Sequence, residues 1–175
     1  MKVFIMFLFF ISIISSNDIK TTHFNIPTDK RIIKILNALD YTGAKDYSKI
    51  KKIQLAKDIF LSSKKNNVDP ILLISLIQSE SSFDNTVKHG LNYVIGLGGC
   101  NLKQHPEYIN RVNNQKDQIE VTAELISYYL EHHDGNNLYA LKAYKGWCKV
   151  GTQRALAVIK NYKLLKNCPN DLEII

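Results

Sequence analysis

The sequence predicts an all-α, predominantly helical fold. Apolar residues recur at three- and four-residue intervals along most of the chain, which places them on single helix faces. Helix start and stop signals flank several of these segments. No alternating apolar and polar run is long enough to predict a useful strand. The 175 residues and ordinary apolar content indicate one well-cored domain with short extensions.

The first half of the chain predicts three helices. A short amphipathic run at 32–39 lies within an N-terminal arm, 17–46, and a longer helix is predicted over 47–64. The third helix has a defined start, because Asp69 can cap it and Pro70 suits the first helical position, where its missing N–H is not needed. Its apolar face ends on a glutamate.

The second half predicts an irregular region followed by three more helices. Periodicity is lost between 83 and 114, where glycines predict loops, and loops on a rigid scaffold often carry function. Helical spacing returns at Asp117, which lies three residues before Glu120 as in a capping box. It stops at Gly135. A short helix is predicted over 137–145, and Thr152 is expected to cap the last helix.

The N-terminus predicts secretion. Lys2 precedes an apolar run and two small serines, so residues 1–16 indicate a signal peptide. A run this short does not favour a permanent membrane span, which needs about 20 apolar residues. In an oxidising compartment one disulfide plus one free thiol is an alternative to three unbonded cysteines, and the sequence leaves the pairing open among Cys100, Cys148 and Cys168.

The net charge of +7 favours an anionic partner. The lysines are scattered, with no basic stripe interleaved with aromatic residues, so nucleic acid is not the expected partner. The glycine loop has Asn101 where a dinucleotide fingerprint needs its third glycine. Adjacent His132 and His133 point about 100° apart on a helix, so no metal site is expected.

Glu80 is the candidate catalytic residue. At helical spacing it shares a face with Leu73, Leu76 and Ile77, so the acid points where apolar side chains point. Removing a carboxylate from water favours its protonated form, which suits a proton donor. The alternative is a glutamate on the last turn of the helix that faces solvent.

Four segments together resemble the soluble (SLT) type of lytic transglycosylase, a family with a lysozyme-like catalytic domain. In chain order, the first segment carries the family's Glu-Ser motif, and the second lies where the family has Gly-Leu-Met-Gln. The third segment resembles the family's Tyr-Leu helix and the Ala-Leu-x-Ala-Tyr-Asn-Ala-Gly motif that follows it. The fourth segment resembles the family's closing helix. The segments are "ESSFD" (80–84), "IGLGG" (95–99), "AELISYYLEHHDGNNLYALKAYKG" (123–146) and "TQRALAVIKNYKLL" (152–165).

The resemblance implies a lysozyme-like, goose-type all-α fold, with the catalytic domain at 47–168 and a C-terminal tail at 169–175. It implies Glu80 and Tyr144 as catalytic residues and requires no metal or cofactor. A substrate groove is implied along Ser81, Gly96, Leu97, Gly98, Gly99 and Trp147.

The sequence departs from the family pattern at two places. Gly99 stands where the family has glutamine, and Lys145-Gly146 replaces Asn-Ala-Gly after the tyrosine. These positions concern substrate contacts more than the acid itself.

The implied activity is non-hydrolytic cleavage of the β-1,4 bond between N-acetylmuramic acid and N-acetylglucosamine in peptidoglycan, leaving 1,6-anhydro ends. The expected partner is therefore the glycan strand, and the expected location is periplasmic or cell-wall associated. Two alternatives stay open: a lysozyme-type muramidase that uses the same glutamate, and a catalytically weak wall-binding or assembly protein.

Overall fold

The computed structural model describes residues 29–89 and 93–169. The predicted signal peptide at 1–16, the first part of the N-terminal arm and nearly all of the predicted tail lie outside the described residues. Six α-helices account for most of the described chain, so the prediction of a predominantly helical fold is confirmed. They are α1 Lys30–Asp40, α2 Lys49–Lys65, α3 Pro70–Ser81, α4 Gln115–Glu131, α5 Asn137–Lys145 and α6 Lys149–Lys166.

The region between α3 and α4 contains more regular structure than the sequence predicts. Three two-residue strands pair antiparallel in the order β1-β2-β3, and a 3₁₀ helix, Pro106–Arg111, follows them. Strands of two residues are too short to show an alternating pattern, so no pattern of apolar residues predicted them. The strands are β1 Lys88–His89, β2 Val94–Ile95 and β3 Cys100–Asn101.

Helix α3 lies at the centre of the fold. Its residues from Ile71 to Ile77 are all buried, and it packs against α1, α2, α4 and α6. A helix that is apolar on all sides belongs in a core rather than at a surface. The Ser75 hydroxyl lies within this buried stretch and donates a hydrogen bond to the Ile71 carbonyl at 2.8 Å.

The two ends of α3 are fixed by specific contacts. The predicted Asp69 cap is confirmed, since its carboxylate accepts from the Ile71 N–H at 2.8 Å. The same side chain accepts from the Tyr162 hydroxyl at 2.7 Å, which joins α6 to the start of α3. At the other end Ser82 adopts a left-handed backbone, with φ of 51°, and the helix stops.

The caps predicted for α4 and α6 are wrong. Helix α4 begins two residues earlier, because Asn114 accepts from the Asp117 N–H at 3.0 Å and Asp117 lies in the first turn. Helix α6 begins at Lys149, capped by the Cys148 sulfur, which accepts from the Gly151 N–H at 3.4 Å. Thr152 therefore lies inside the helix. In both cases another side chain that can accept a hydrogen bond precedes the expected cap.

The three cysteines are unbonded. Cys100 is buried, Cys168 is half-buried and Cys148 is exposed. Burial raises the pKa of the Cys100 thiol to about 11, so it is a neutral packing group at physiological pH. Across 29–89 and 93–169, none of the helices has the length and apolar character needed to cross a bilayer.

Candidate functional site

Glu80 lies on the last turn of α3, where the buried helix reaches the surface. Its side chain is 17% exposed, so the carboxylate is neither enclosed nor free in solvent. One carboxylate oxygen, Oε1, lies 2.8 Å from the Lys145 ammonium nitrogen. The neighbours of Glu80 therefore include a cation in addition to the apolar side chains that its helical spacing predicts.

Lys145 reaches Glu80 from the end of α5. Its side chain is only 4% exposed, and its ammonium group also donates to the Ser79 hydroxyl at 2.9 Å. Helix α5 ends at this residue, since Gly146 follows with a φ of 94°. The sequence departure at position 145 thus places a cation on the candidate acid.

The glycine loop, residues 96–99, covers the opposite side of the carboxylate. Gly99 has a φ of +63°, and a Cβ placed there would lie 2.9 Å from Glu80 Oε2. This close approach accounts for glycine at the position where the resembled family has glutamine, because a side chain would displace the carboxylate.

The glycine loop is seated on α4. Gln118, which is buried, accepts from the Leu97 N–H at 3.0 Å and donates to the Val112 carbonyl at 3.0 Å. Gly98 lies so close to α4 that a Cβ would be 1.9 Å from the Thr122 hydroxyl oxygen. Sequence analysis missed Gln118 and Thr122, because neither belongs to the motifs and their partners are distant in sequence.

Tyr144 anchors the same loop from α5. Its hydroxyl donates to the Gly98 carbonyl at 2.7 Å, and its ring packs edge-on to Tyr129 at 6.0 Å between ring centres. Burial raises the pKa of Tyr144 well above its usual range, and the charge of Glu80 adds to this effect. Tyr144 is thus a neutral donor whose hydrogen bond positions the loop beside the acid.

Ser81 and Leu97 have buried side chains with structural contacts. The Ser81 hydroxyl donates to the Ile77 carbonyl at 3.3 Å and accepts from the Phe83 N–H at 3.2 Å, which closes the turn after α3. Leu97 is fully buried in the main core. Both residues lie next to the site and shape the backbone around it.

Trp147 lies two residues beyond Lys145 on an exposed aromatic cluster formed by His133, Tyr139 and Trp147. Trp147 is 56% exposed, and its ring stacks on Tyr139 with 6.2 Å between ring centres and 29° between planes. The Lys142 ammonium lies 4.9 Å from the centre of the Trp147 ring. The structure therefore brings Glu80, Tyr144 and the glycine loop together and places Trp147 on an adjoining surface.

No protein-family model, curated protein or solved structure matches this chain. The site geometry is thus the basis for interpreting its chemistry. Within the two described ranges, no three His, Cys, Asp or Glu side chains are grouped as metal ligands would be. The arrangement offers one carboxylate with an ammonium on one oxygen and a backbone loop against the other, which suits proton transfer to and from a bound molecule.

Tyr144→Phe is expected to reduce the loss of stability at alkaline pH. Folded Tyr144 keeps its proton above the usual tyrosine pKa of about 10, while the unfolded chain releases it. The unfolded state then binds fewer protons, so stability falls as pH rises above about 10, by up to about 1.4 kcal/mol per pH unit for this group. Denaturant unfolding at about pH 8 and about pH 11 measures the change. Tyr139 is exposed, so Tyr139→Phe is the control and should keep the parent's pH dependence of stability. Equal pH dependence in the parent and both variants would contradict the raised pKa of Tyr144.

Proposed function

We propose that this chain is a peptidoglycan lytic transglycosylase with a lysozyme-like catalytic domain of the soluble type. The observation that carries the proposal is the convergence of three separate motif segments on one carboxylate. Glu80 comes from α3, Gly99 from the glycine loop and Tyr144-Lys145 from α5. A partly exposed acid at the end of a buried helix is accessible to a polymer and is held by a rigid scaffold.

In the proposed reaction Glu80 acts twice. Its protonated form donates to the oxygen of the bond between N-acetylmuramic acid and N-acetylglucosamine as that bond breaks, and the substrate's acetamido group stabilises the sugar cation. The resulting carboxylate then takes the proton of the C6 hydroxyl as its oxygen bonds to C1. The ring closes as a 1,6-anhydro sugar, Glu80 regains its proton, and water is not consumed.

The surroundings of the site suit a glycan strand. The net charge of +7 favours an anionic wall polymer, and exposed Trp147 offers an apolar ring face on which a sugar can stack. Together with the expected signal peptide, these features support a periplasmic or cell-wall location and peptidoglycan as the partner.

Glu80→Gln tests the proposal. Because the amide cannot donate or accept the proton that the reaction moves, release of soluble products from purified peptidoglycan is expected to fall about 10²–10⁴-fold. Glu131→Gln, an exposed position at the end of α4, makes the same chemical change away from the site and should retain parental activity. Mass spectrometry of the products should show anhydro ends from the parent protein.

Other outcomes identify the alternatives. Hydrated, reducing ends that disappear in Glu80→Gln would indicate a lysozyme-type muramidase. The Glu80–Lys145 ion pair favours a wall-binding or assembly protein as a second candidate, because a carboxylate paired with a buried ammonium is also a common structural contact. In that case the parent and Glu80→Gln would both co-sediment with peptidoglycan and release equally little of it.

A further inference from the structure

Lys145 is held almost entirely out of solvent against the candidate acid. Its side chain is 4% exposed, and its ammonium group contacts Glu80 Oε1 at 2.8 Å and Ser79 Oγ at 2.9 Å. Burying an ammonium group is unfavourable by several kcal/mol unless it is paired and hydrogen-bonded. Lys145 therefore stays in this position because Glu80 and Ser79 satisfy it.

The other oxygen of the carboxylate has a different neighbour. Glu80 Oε2 faces Gly99, where a Cβ would come within 2.9 Å. The two departures from the family pattern thus meet at one group: Lys145 holds one oxygen, and Gly99 leaves room for the other.

Lys145 is a charged neighbour of this carboxylate, with its ammonium nitrogen 2.8 Å from Oε1. Tyr144 on α5 also interacts with Glu80, and burial raises the pKa of Tyr144 well above its usual range. Tyr144 is therefore neutral at physiological pH, and the Lys145 ammonium is the charged group that contacts Glu80 Oε1.

We propose that Lys145 is a positioning residue that fixes the orientation of the Glu80 carboxylate through Oε1. This inference rests on the proposed function, in which protonated Glu80 starts the reaction.

Lys145→Met removes the charge and keeps much of the side-chain volume. The rate of product release at saturating peptidoglycan should fall roughly tenfold while KM changes little, since the carboxylate is less well oriented for the reaction. Lys145→Arg keeps a cation at this position and should recover most of that rate. Lys149→Met, at an exposed position at the start of α6, should keep the parental rate.

A thermal-stability cycle tests the ion pair without any activity measurement. It compares the parent, Glu80→Gln, Lys145→Met and the double variant. If the pair exists, the shifts in melting temperature are not additive, and the double variant is more stable than the sum of the two single changes predicts.

The outcomes separate the two proposals. Additive melting shifts, or a parental rate in Lys145→Met while Glu80→Gln is inactive, would overturn the role of Lys145 alone. Non-additive shifts with full activity in Glu80→Gln would overturn the transglycosylase proposal and leave the ion pair standing as a structural contact.

Discussion

Leu76→Ala is expected to lower the free energy of unfolding by about 2–5 kcal/mol, as for other large-to-small changes in protein cores. Leu76 is fully buried on α3, the helix around which α1, α2, α4 and α6 pack. Removing its side chain forfeits apolar burial and leaves a cavity that rigid neighbours fill only partly. Urea unfolding followed by circular dichroism measures the loss.

Leu61→Ala is the matched control for this change. Leu61 lies on α2 and is 56% exposed, so the same substitution removes little buried surface. We expect a change within about 0.5 kcal/mol. Equal effects at the two positions would contradict the central, buried placement of α3, and with it the rigid support proposed for Glu80.

Gly98→Ala is expected to lower the free energy of unfolding by about 1–3 kcal/mol or more. The added Cβ would lie 1.9 Å from the Thr122 hydroxyl oxygen and within 2.7 Å of the Thr122 Cβ, so the glycine loop has to move away from α4. This movement strains the hydrogen bond between Tyr144 and the Gly98 carbonyl and shifts Gly99 relative to Glu80. Denaturant unfolding measures the loss of stability, and release of soluble products from peptidoglycan measures any loss of the proposed activity.

Gly135→Ala separates steric overlap from backbone strain. Gly135 has a φ of +75°, but a Cβ there meets no atom within 4 Å. Its replacement should therefore lower stability only by the left-handed penalty, roughly 1–2 kcal/mol, without affecting peptidoglycan release. If Gly98→Ala is the milder change and retains activity, the glycine loop does not sit on α4 as described.

The positions of the helices could be predicted largely from local signals. Asp69 and Pro70 mark the start of α3, and the continuous apolar run after them requires a buried helix. The bounds 137–145 follow from equally local features and are confirmed. Local competition between capping side chains caused the errors, since Asn114 and Cys148 precede the residues expected to cap α4 and α6.

The position of Glu80 on the apolar face of α3 follows from helical spacing, but its neighbours do not. Lys145 was visible in the sequence only as a departure from a motif, and Gln118 gave no signal. Both residues contact groups that are distant from them in sequence, and local helix propensity does not predict such contacts. Their contacts exist because α4 and α5 pack beside the end of α3 and the glycine loop.

The sequence by itself thus determined a helical chain with one acid at the end of its most apolar helix. The tertiary structure alone decided that this acid is paired with a buried lysine: the Lys145 ammonium also binds Ser79, 66 residues earlier in the chain. The physical reason is that helix formation depends on neighbours three and four residues apart, whereas the charge next to a side chain depends on which helix ends pack together.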